Sequence, residues 1–490
     1  MSRLKRILMS FVLLAAILLL ASYIFMNNKG SQRSYAAQPK FGLSATGLPD
    51  KGFWKSTPAV ADINGHGLLA LAVHPRLGQG ARVFLRNAAG EWVDSSQGLE
   101  METSCGGGIA FSDVNKDGCA DLVVADHCTG VHVYLGDCEG HWKQVVKGLA
   151  PAVAQPGADS GDPREFYVGA EAVAVGDVNE DGFPDLVVGA SDRGGITVYL
   201  GDGTGVNWKE SPAEGLPSAK SPDPGDENGA GWANQVRLVD INKDGHLDIV
   251  ASYYKGPKVW LGDGKGHWKP SSAGLPEPSV YGLYRGIAVG DVNGDGLPDL
   301  VAANEANGPE VYLQKPDGSW QATPDPFPQI RGGALAVDLA DLYKDGHLDL
   351  IVAGRLTQDL GNAYGLFVLK GDGKGGWKYE EATGLPSSGL SVSWGVKAVD
   401  VNGNGLPDII ATTGGVVPGG EKAAAAKQSK SRMDAVAAGP PIVPEAQLPR
   451  IQVWSSQTAR QCRAGESHRS KYRAGRRLSI WADRTSMVDI

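Results

Sequence analysis

Between Asp113 and Asp121 the chain sets oxygen-bearing side chains at alternate positions: Asp113, Asn115 and Asp117, then a glycine, Gly118, and a last acid, Asp121. Oxygens at positions 1, 3, 5 and 9, with a backbone carbonyl at position 7 (here Cys119), form the donor set of a calcium loop. Calcium prefers about six to eight hard oxygens gathered around one tight turn. An EF-hand would finish with a glutamate at position 12. Position 12 here is Val124, inside the apolar run Leu122-Val123-Val124-Ala125, so the loop feeds a β-strand and no helix is present to carry that glutamate.

The loop recurs, and repetition turns a weak motif into a specific one. Complete donor sets stand at Asp177, Asn179, Asp181 and Asp185, at Asp240, Asn242, Asp244 and Asp248, and at Asp291, Asn293, Asp295 and Asp299. A sixth copy has Asp341, Asp345 and Asp349 but Tyr343 in place of the amide, and a seventh has Asp400, Asn402, Asn404 and Asp408, so both are expected to bind more weakly. The copy nearest the N-terminus starts at Asp62 and carries His66 and Ala70 where acids are needed, which predicts no calcium there. Asp, Asn and Gly also make good turns without any ion. Clustered carboxylates repel one another without a cation, however, and the recurrence of all four positions favours calcium in a structural role.

Each loop lies between two short apolar strands. A β-branched and aromatic strand follows, as in "VHVYLGD" from Val131, then a glycine turn and a tryptophan: Trp92, Trp142, Trp208, Trp268, Trp320 or Trp377. Four strands per unit, seven times over, fit an all-β fold, a seven-bladed β-propeller of four-stranded blades. The seventh unit has two strands and then "IQVW" from Ile451 as its third, and its fourth is missing downstream. "FGLSATGLP" from Phe41 resembles "WKPSSAGLP" from Trp268, so the N-terminal strand is expected to complete the seventh blade.

These loops, with "VYLGDGxGxW"-type strands after them, resemble the FG-GAP/VCBS repeat proteins, which include the integrin α-subunit propeller. The resemblance covers residues 40–455 and implies calcium between the first and second strands of each blade. It implies no reaction, because one fold hosts unrelated functions.

The chain has 490 residues, 42% hydrophobic, with 68 glycines and 55 acids against 46 Lys and Arg. This mild acidity speaks against a nucleic-acid partner. Residues 7–26 are uncharged and follow Arg3, Lys5 and Arg6, which predicts an N-terminal transmembrane anchor or signal segment within residues 1–39, with the propeller on the extracytoplasmic side or secreted if the segment is cleaved. An Ala/Lys-rich insertion over 417–449 and a basic tail over 456–490 fall outside the repeat and read as disordered. Four of five cysteines lie in one unit. A hairpin there brings Cys105 to Cys128 at one end and Cys119 to Cys138 at the other, and two disulfides suit an exported protein.

The face opposite the calcium loops gathers aromatics and charges at strand ends: His127, Tyr167, Trp232, Tyr253, Tyr284, Arg285, Glu305, Arg331, Arg355 and Trp394. Such a face suits a protein or glycan ligand, since aromatics pack while fixed charges orient; the alternative is that the aromatics plug the central channel. Three functions compete. The first is a membrane-anchored binding or adhesion module. The second is a polysaccharide lyase or hydrolase in which His74, His127, Tyr253, Glu305 and the arginines supply a base and charge neutralisation, against which no nucleophile elbow, HExxH, CxxCH or P-loop is found. The third is a scaffold subunit of an envelope complex.

Overall fold

The computed structural model describes residues 39–50, 52–76, 80–101, 104–149, 169–191, 194–218, 230–278, 282–324, 333–355, 364–390, 392–414 and 451–457. The anchor or signal segment at 7–26, the insertion at 417–449 and the tail beyond residue 457 lie outside them. Among the described residues no helix is long and apolar enough to cross a membrane.

Among the described residues, twenty-eight strands form seven antiparallel four-stranded sheets. In six of them the order along the sheet is the order along the chain, as in Ile109–Ser112, Asp121–Asp126, Gly130–Gly136 and Trp142–Leu149 of blade 2. The seventh joins the two ends of the propeller. Ser393–Val399, Asp408–Thr413 and Ile451–Gln457 are flanked by Lys40–Leu43, whose Leu43 pairs with Trp454 and whose Lys40 pairs with Gln457. The expected closure of the ring by the N-terminal strand is therefore present.

The second strands of blades 2 to 5 and 7 are buried along their whole length, because neighbouring blades cover both faces of each sheet. That is why they read as unbroken apolar runs instead of alternating ones. The core is divided accordingly into seven hydrophobic clusters, one at each interface between adjacent blades. One of them packs Val60, Leu71 and Phe84 of blade 1 against Ile410, Ile451 and Val453 of blade 7.

The recurrent Trp and Gly-Leu signals have one shared cause. The Trp320 amide donates to the Ala273 carbonyl of the preceding blade (2.8 Å), and its indole donates to Ser271 O (2.8 Å). Gly274, at φ 94°, lies so close that a Cβ there would sit 2.0 Å from the Trp320 carbonyl oxygen. Only glycine tolerates both the backbone angle and the approach, so Gly-Leu ends one blade where the Trp of the next begins.

Candidate metal loops and the opposite face

The position-9 aspartates are the keystones of the loops. Asp121, Asp185, Asp248, Asp299, Asp349 and Asp408 are each fully buried. In each, one carboxylate oxygen accepts the position-2 amide, as in Val114 N to Asp121 Oδ2 at 2.8 Å and Ile241 N to Asp248 Oδ2 at 2.8 Å. The other accepts an amide at the end of the third strand, as in Gly136 N to Asp121 Oδ1 at 2.9 Å and Gly262 N to Asp248 Oδ1 at 2.8 Å. One side chain thus ties the loop to two strands.

Positions 1, 3 and 5 form a ring of side-chain oxygens over the backbone. In blade 2 the Asp113 carboxylate accepts the amides of Asp117 (3.0 Å) and Gly118 (2.9 Å), Asp117 accepts that of Cys119 (2.8 Å), and the Asn115 amide donates to Asp117 Oδ2 (2.8 Å). The same bonds recur around Asp177, Asn179 and Asp181 and around Asp240, Asn242 and Asp244; around Asp291, Asn293 and Asp295 all but the bond between positions 1 and 5 recur.

Each of these loops carries more acids than bases. Burial pushes the carboxyls of Asp121, Asp185, Asp248 and Asp299 up to about 6; backbone donors oppose the rise, and the charges of neighbouring loop acids add to it. Asp349 is pushed by the same causes to about 7. In blades 2 to 5, crowded carboxylate oxygens whose pKa is raised by burial and by each other's charge are a donor set that a divalent cation fits.

Three loops depart from this pattern, that of blade 6 through Tyr343 at position 3. In blade 7 the Asn402 amide turns inward and donates to both oxygens of Asp408 (2.9 and 2.8 Å), and Asn404 donates to Ser456 O (3.2 Å). In blade 1 Asp62 still accepts the Gly67 amide (2.7 Å), but Ala70 replaces the keystone and Ile63 N bonds Leu68 O instead (3.0 Å).

Both disulfides form as paired from the sequence, Cys105 with Cys128 and Cys119 with Cys138. The second clamps the position-7 residue of the blade 2 loop onto the next turn. Two other clusters that might suggest a metal have ordinary explanations. Cys105, Asp126 and Cys128 include the disulfide, while Asp137 and His141 repeat the Asp263 and His267 turn, in which the first residue accepts the amide of the second.

At the opposite end the structure sorts the predicted face residues. Tyr253 and Tyr284 are buried, 2% and 3% exposed, with the Tyr253 hydroxyl donating to Ala230 O and that of Tyr284 to Glu310 Oε2 (2.6 Å). They are core residues. Arg285 and Glu305 pair with each other (2.9 Å), and Arg355 lies 5.6 Å from the centre of the Tyr364 ring. Trp232 packs on Tyr254, and Trp394 lies beside Phe53. Tyr167 and Arg331 fall outside the described residues.

His127 belongs to a constellation that sequence reasoning did not assemble. It lines a concavity of about 230 Å³ with Lys55, Arg76 and Cys105. Beneath it Glu171 bonds His127 Nδ1 (2.8 Å) and the Lys55 ammonium. Burial would raise the Glu171 carboxyl, but Lys55 and His127 outweigh it and hold it at about 2. Arg76 rests on the Phe53 ring (5.6 Å), and among the described residues it pairs with no carboxylate. Behind the concavity, buried His74 bonds Ala125 O through Nδ1 (3.0 Å) and Ser104 Oγ through Nε2 (2.8 Å). Burial pushes His74 down to about 4, which keeps it neutral. An acid, Glu171, within the apolar strand "AEAVAVG" was the available sequence signal for this network.

The family described as FG-GAP-like repeat matches residues 113–188, 177–251, 240–302 and 291–352. Integrin alpha-7 of Rattus norvegicus is 32% identical over 166 residues, 32% of this chain and 12% of that protein. The chain is an integrin-α-like FG-GAP repeat propeller. Integrin alpha-6 of Homo sapiens is 32% identical over 123 residues, 23% of this chain and 10% of that protein. This propeller thus spans about a tenth of the length of the curated relatives it matches. A solved lectin of Agrocybe aegerita, described as recognising terminal N-acetylglucosamine, covers 68% of this chain and 83% of its own at 18% identity and a TM-score of 0.41, too distant to bear on ligand. Each FG-GAP match starts at position 1 of a loop with a complete donor set (Asp113, Asp177, Asp240 or Asp291) and ends within the second strand of the next blade.

Proposed function

We propose that this chain is an exported binding or adhesion module, its propeller braced by structural calcium in the loops of blades 2 to 5, that engages a protein ligand through an acidic group at the opposite face. The observation that supports this reading is the division of chemistry between the two ends of the blades. One end gathers carboxylates in excess of the cations beside them. The other presents Lys55, Arg76 and His127 around one concavity, with Glu171 beneath. The residues that would hold calcium are Asp113, Asn115, Asp117, Asp121 and the Cys119 carbonyl in blade 2, with their counterparts in blades 3 to 5. A bound calcium would neutralise these acids and stiffen the hairpin they close.

Residues 7–26 are assigned to a single-pass anchor, with the propeller extracytoplasmic, where disulfides persist. The lyase or hydrolase reading loses Tyr253 as a proton-transfer candidate, since its side chain is buried.

Two measurements on the full chain in detergent test the two halves of the reading. Metal analysis with melting in calcium and in chelator addresses the loops; no bound calcium and no shift in Tm would refute that half. Capture on arrays of acidic and neutral peptides addresses the face. The expected result is acidic-selective capture lost in Arg76→Glu with an unchanged Tm, and equal capture by the variant would refute the ligand half.

A further inference from the structure

The sixth loop differs from its neighbours by two replacements that lie far apart in the chain and meet in space. At position 3, where blades 2 to 5 carry Asn115, Asn179, Asn242 and Asn293, it has Tyr343. In the third strand, at the place before the amide that bonds the keystone aspartate, blades 2 to 5 carry Leu135, Leu200, Leu261 and Leu313. Blade 6 has Lys370 there.

The lysine reaches into the loop. Its Nζ lies 2.8 Å from Asp345 Oδ2 and 4.1 Å from the centre of the Tyr343 ring. In the four neighbouring loops the corresponding position-5 oxygen accepts the amide of the position-3 asparagine, at 2.8 to 3.0 Å. The ammonium has taken over that oxygen, and the tyrosine face that replaces the amide forms its floor. The rest of the loop is unchanged. Asp341 still accepts the amides of Asp345 (3.0 Å) and Gly346 (2.9 Å), and Asp349 still accepts Leu342 N (2.8 Å) and Gly371 N (3.0 Å).

We propose that the sixth loop takes no divalent cation and that the Lys370 ammonium, stacked on Tyr343 and paired with Asp345, is its permanent built-in cation. This rests on the reading that the loops of blades 2 to 5 hold calcium. Three features argue against metal here. The loop has lost an oxygen donor, because a half-ring of aromatic carbon replaces the Asn carbonyl. One of its carboxylates is already engaged by a full positive charge. A divalent ion in the ring would also lie within a few ångströms of that ammonium and be repelled by it. The ammonium over an aromatic face is itself a favourable arrangement. Blade 6 would therefore keep its loop ordered when calcium is withdrawn, while blades 2 to 5 would not.

Hydrogen exchange measured by mass spectrometry on the full chain, with calcium and with chelator, tests this without a mutation. Peptides covering 113–121, 177–185, 240–248 and 291–299 are expected to exchange at least tenfold faster in chelator, and the peptide covering 341–349 at an unchanged rate. An equal response of 341–349 overturns the proposal. The double variant Tyr343→Asn/Lys370→Leu, which copies blade 5, is expected to bind one more calcium per chain than wild type and to make 341–349 chelator-sensitive. If the double variant folds and gains no calcium, the proposal fails while the reading of blades 2 to 5 stands. If no wild-type loop responds, that reading fails instead, and the double variant alone decides the sixth loop: a gain of one calcium supports the proposal and no gain overturns it.

Discussion

Replacing the keystone Asp248 by alanine should cost more stability in calcium than in chelator, and the structure sets the size of the difference. Asp248 is fully buried and accepts two amides, Ile241 N and Gly262 N, both at 2.8 Å. Asp248→Ala leaves both donors unsatisfied, at about 1–3 kcal/mol each, or roughly 2–6 kcal/mol together. Against this, burial raises the carboxyl from 3.8 to about 6. Holding it ionised at neutral pH in the absence of metal therefore opposes folding by ~3 kcal/mol, at about 1.4 kcal/mol per pKa unit. The variant escapes that penalty, so its net cost in chelator should be small, roughly −1 to 3 kcal/mol. Calcium cancels the penalty in wild type and exposes the whole cost. Blade 1 marks the lower limit, since with Ala70 in place of the acid Ile63 N finds Leu68 O. The assay is urea denaturation of wild type and variant at pH 7.5 in each condition. Equal costs in calcium and chelator would refute the argument that the keystone shares its charge with a metal. A variant indistinguishable from wild type in both would refute the keystone role itself.

Three further outcomes follow from the same geometry. In chelator, Tm should fall as pH rises from 5 to 7.5: carboxyls raised to about 6 or 7 (Asp121, Asp185, Asp248, Asp299, Asp349) stabilise below their unfolded values near 4, and that contribution is lost as pH passes their folded ones. His74, lowered to about 4, acts in the opposite sense but is one group against five; a pH–Tm profile in which calcium leaves the slope unchanged would contradict this. Deleting residues 40–49 removes the closing strand and exposes the edge of Ile451–Gln457, so calorimetry should show a lower and broader transition, and an unchanged one would mean that the ring closes elsewhere. Replacing Cys119 and Cys138 by serine should lower stability by about 2–4 kcal/mol and weaken calcium binding in blade 2 alone; isothermal titration with an unchanged isotherm would show that the clamp does not organise the loop.

What could be read from the sequence had one of two properties. Either it repeated, as did the Asp-Asn-Asp loops and the Trp and Gly-Leu signals, or it came in pairs with a topological reason to meet, as did the cysteines and the N-terminal strand. Tyr253 and Tyr284 misled because an aromatic at a strand end resembles a rim residue, and only the packing shows their rings turned into the core. Lys55 and Glu171 lie 116 positions apart in blades 1 and 3, and nothing local marks them as partners. Lys370 is the sharpest case. Tyr343 in the loop was visible as a defect, but its compensation lies in another strand, 27 positions on, and becomes legible only once the hairpin brings that strand over the loop.

Blade 2 connects the two ends of the molecule through a single strand. Asp121 begins the strand Asp121–Asp126 as keystone of a metal loop, and Asp126 ends it, accepting the amides of Cys105 (2.7 Å), Cys128 (2.9 Å) and Thr129 (2.9 Å) beside His74. Five residue steps at about 3.3 Å separate the two acids by roughly 17 Å. Both ends are fixed covalently as well, by Cys119–Cys138 near the loop and Cys105–Cys128 beside the concavity. Any effect of calcium on the Lys55, Arg76 and His127 surface should therefore travel as a change in the order of this hairpin. With both disulfides intact, that hairpin is the part of the calcium-bearing blades 2 to 5 that calcium withdrawal should loosen least. Calcium should consequently matter more to the stability of blades 3 to 5, which lack any such covalent tie among the described residues, than to ligand capture at the concavity.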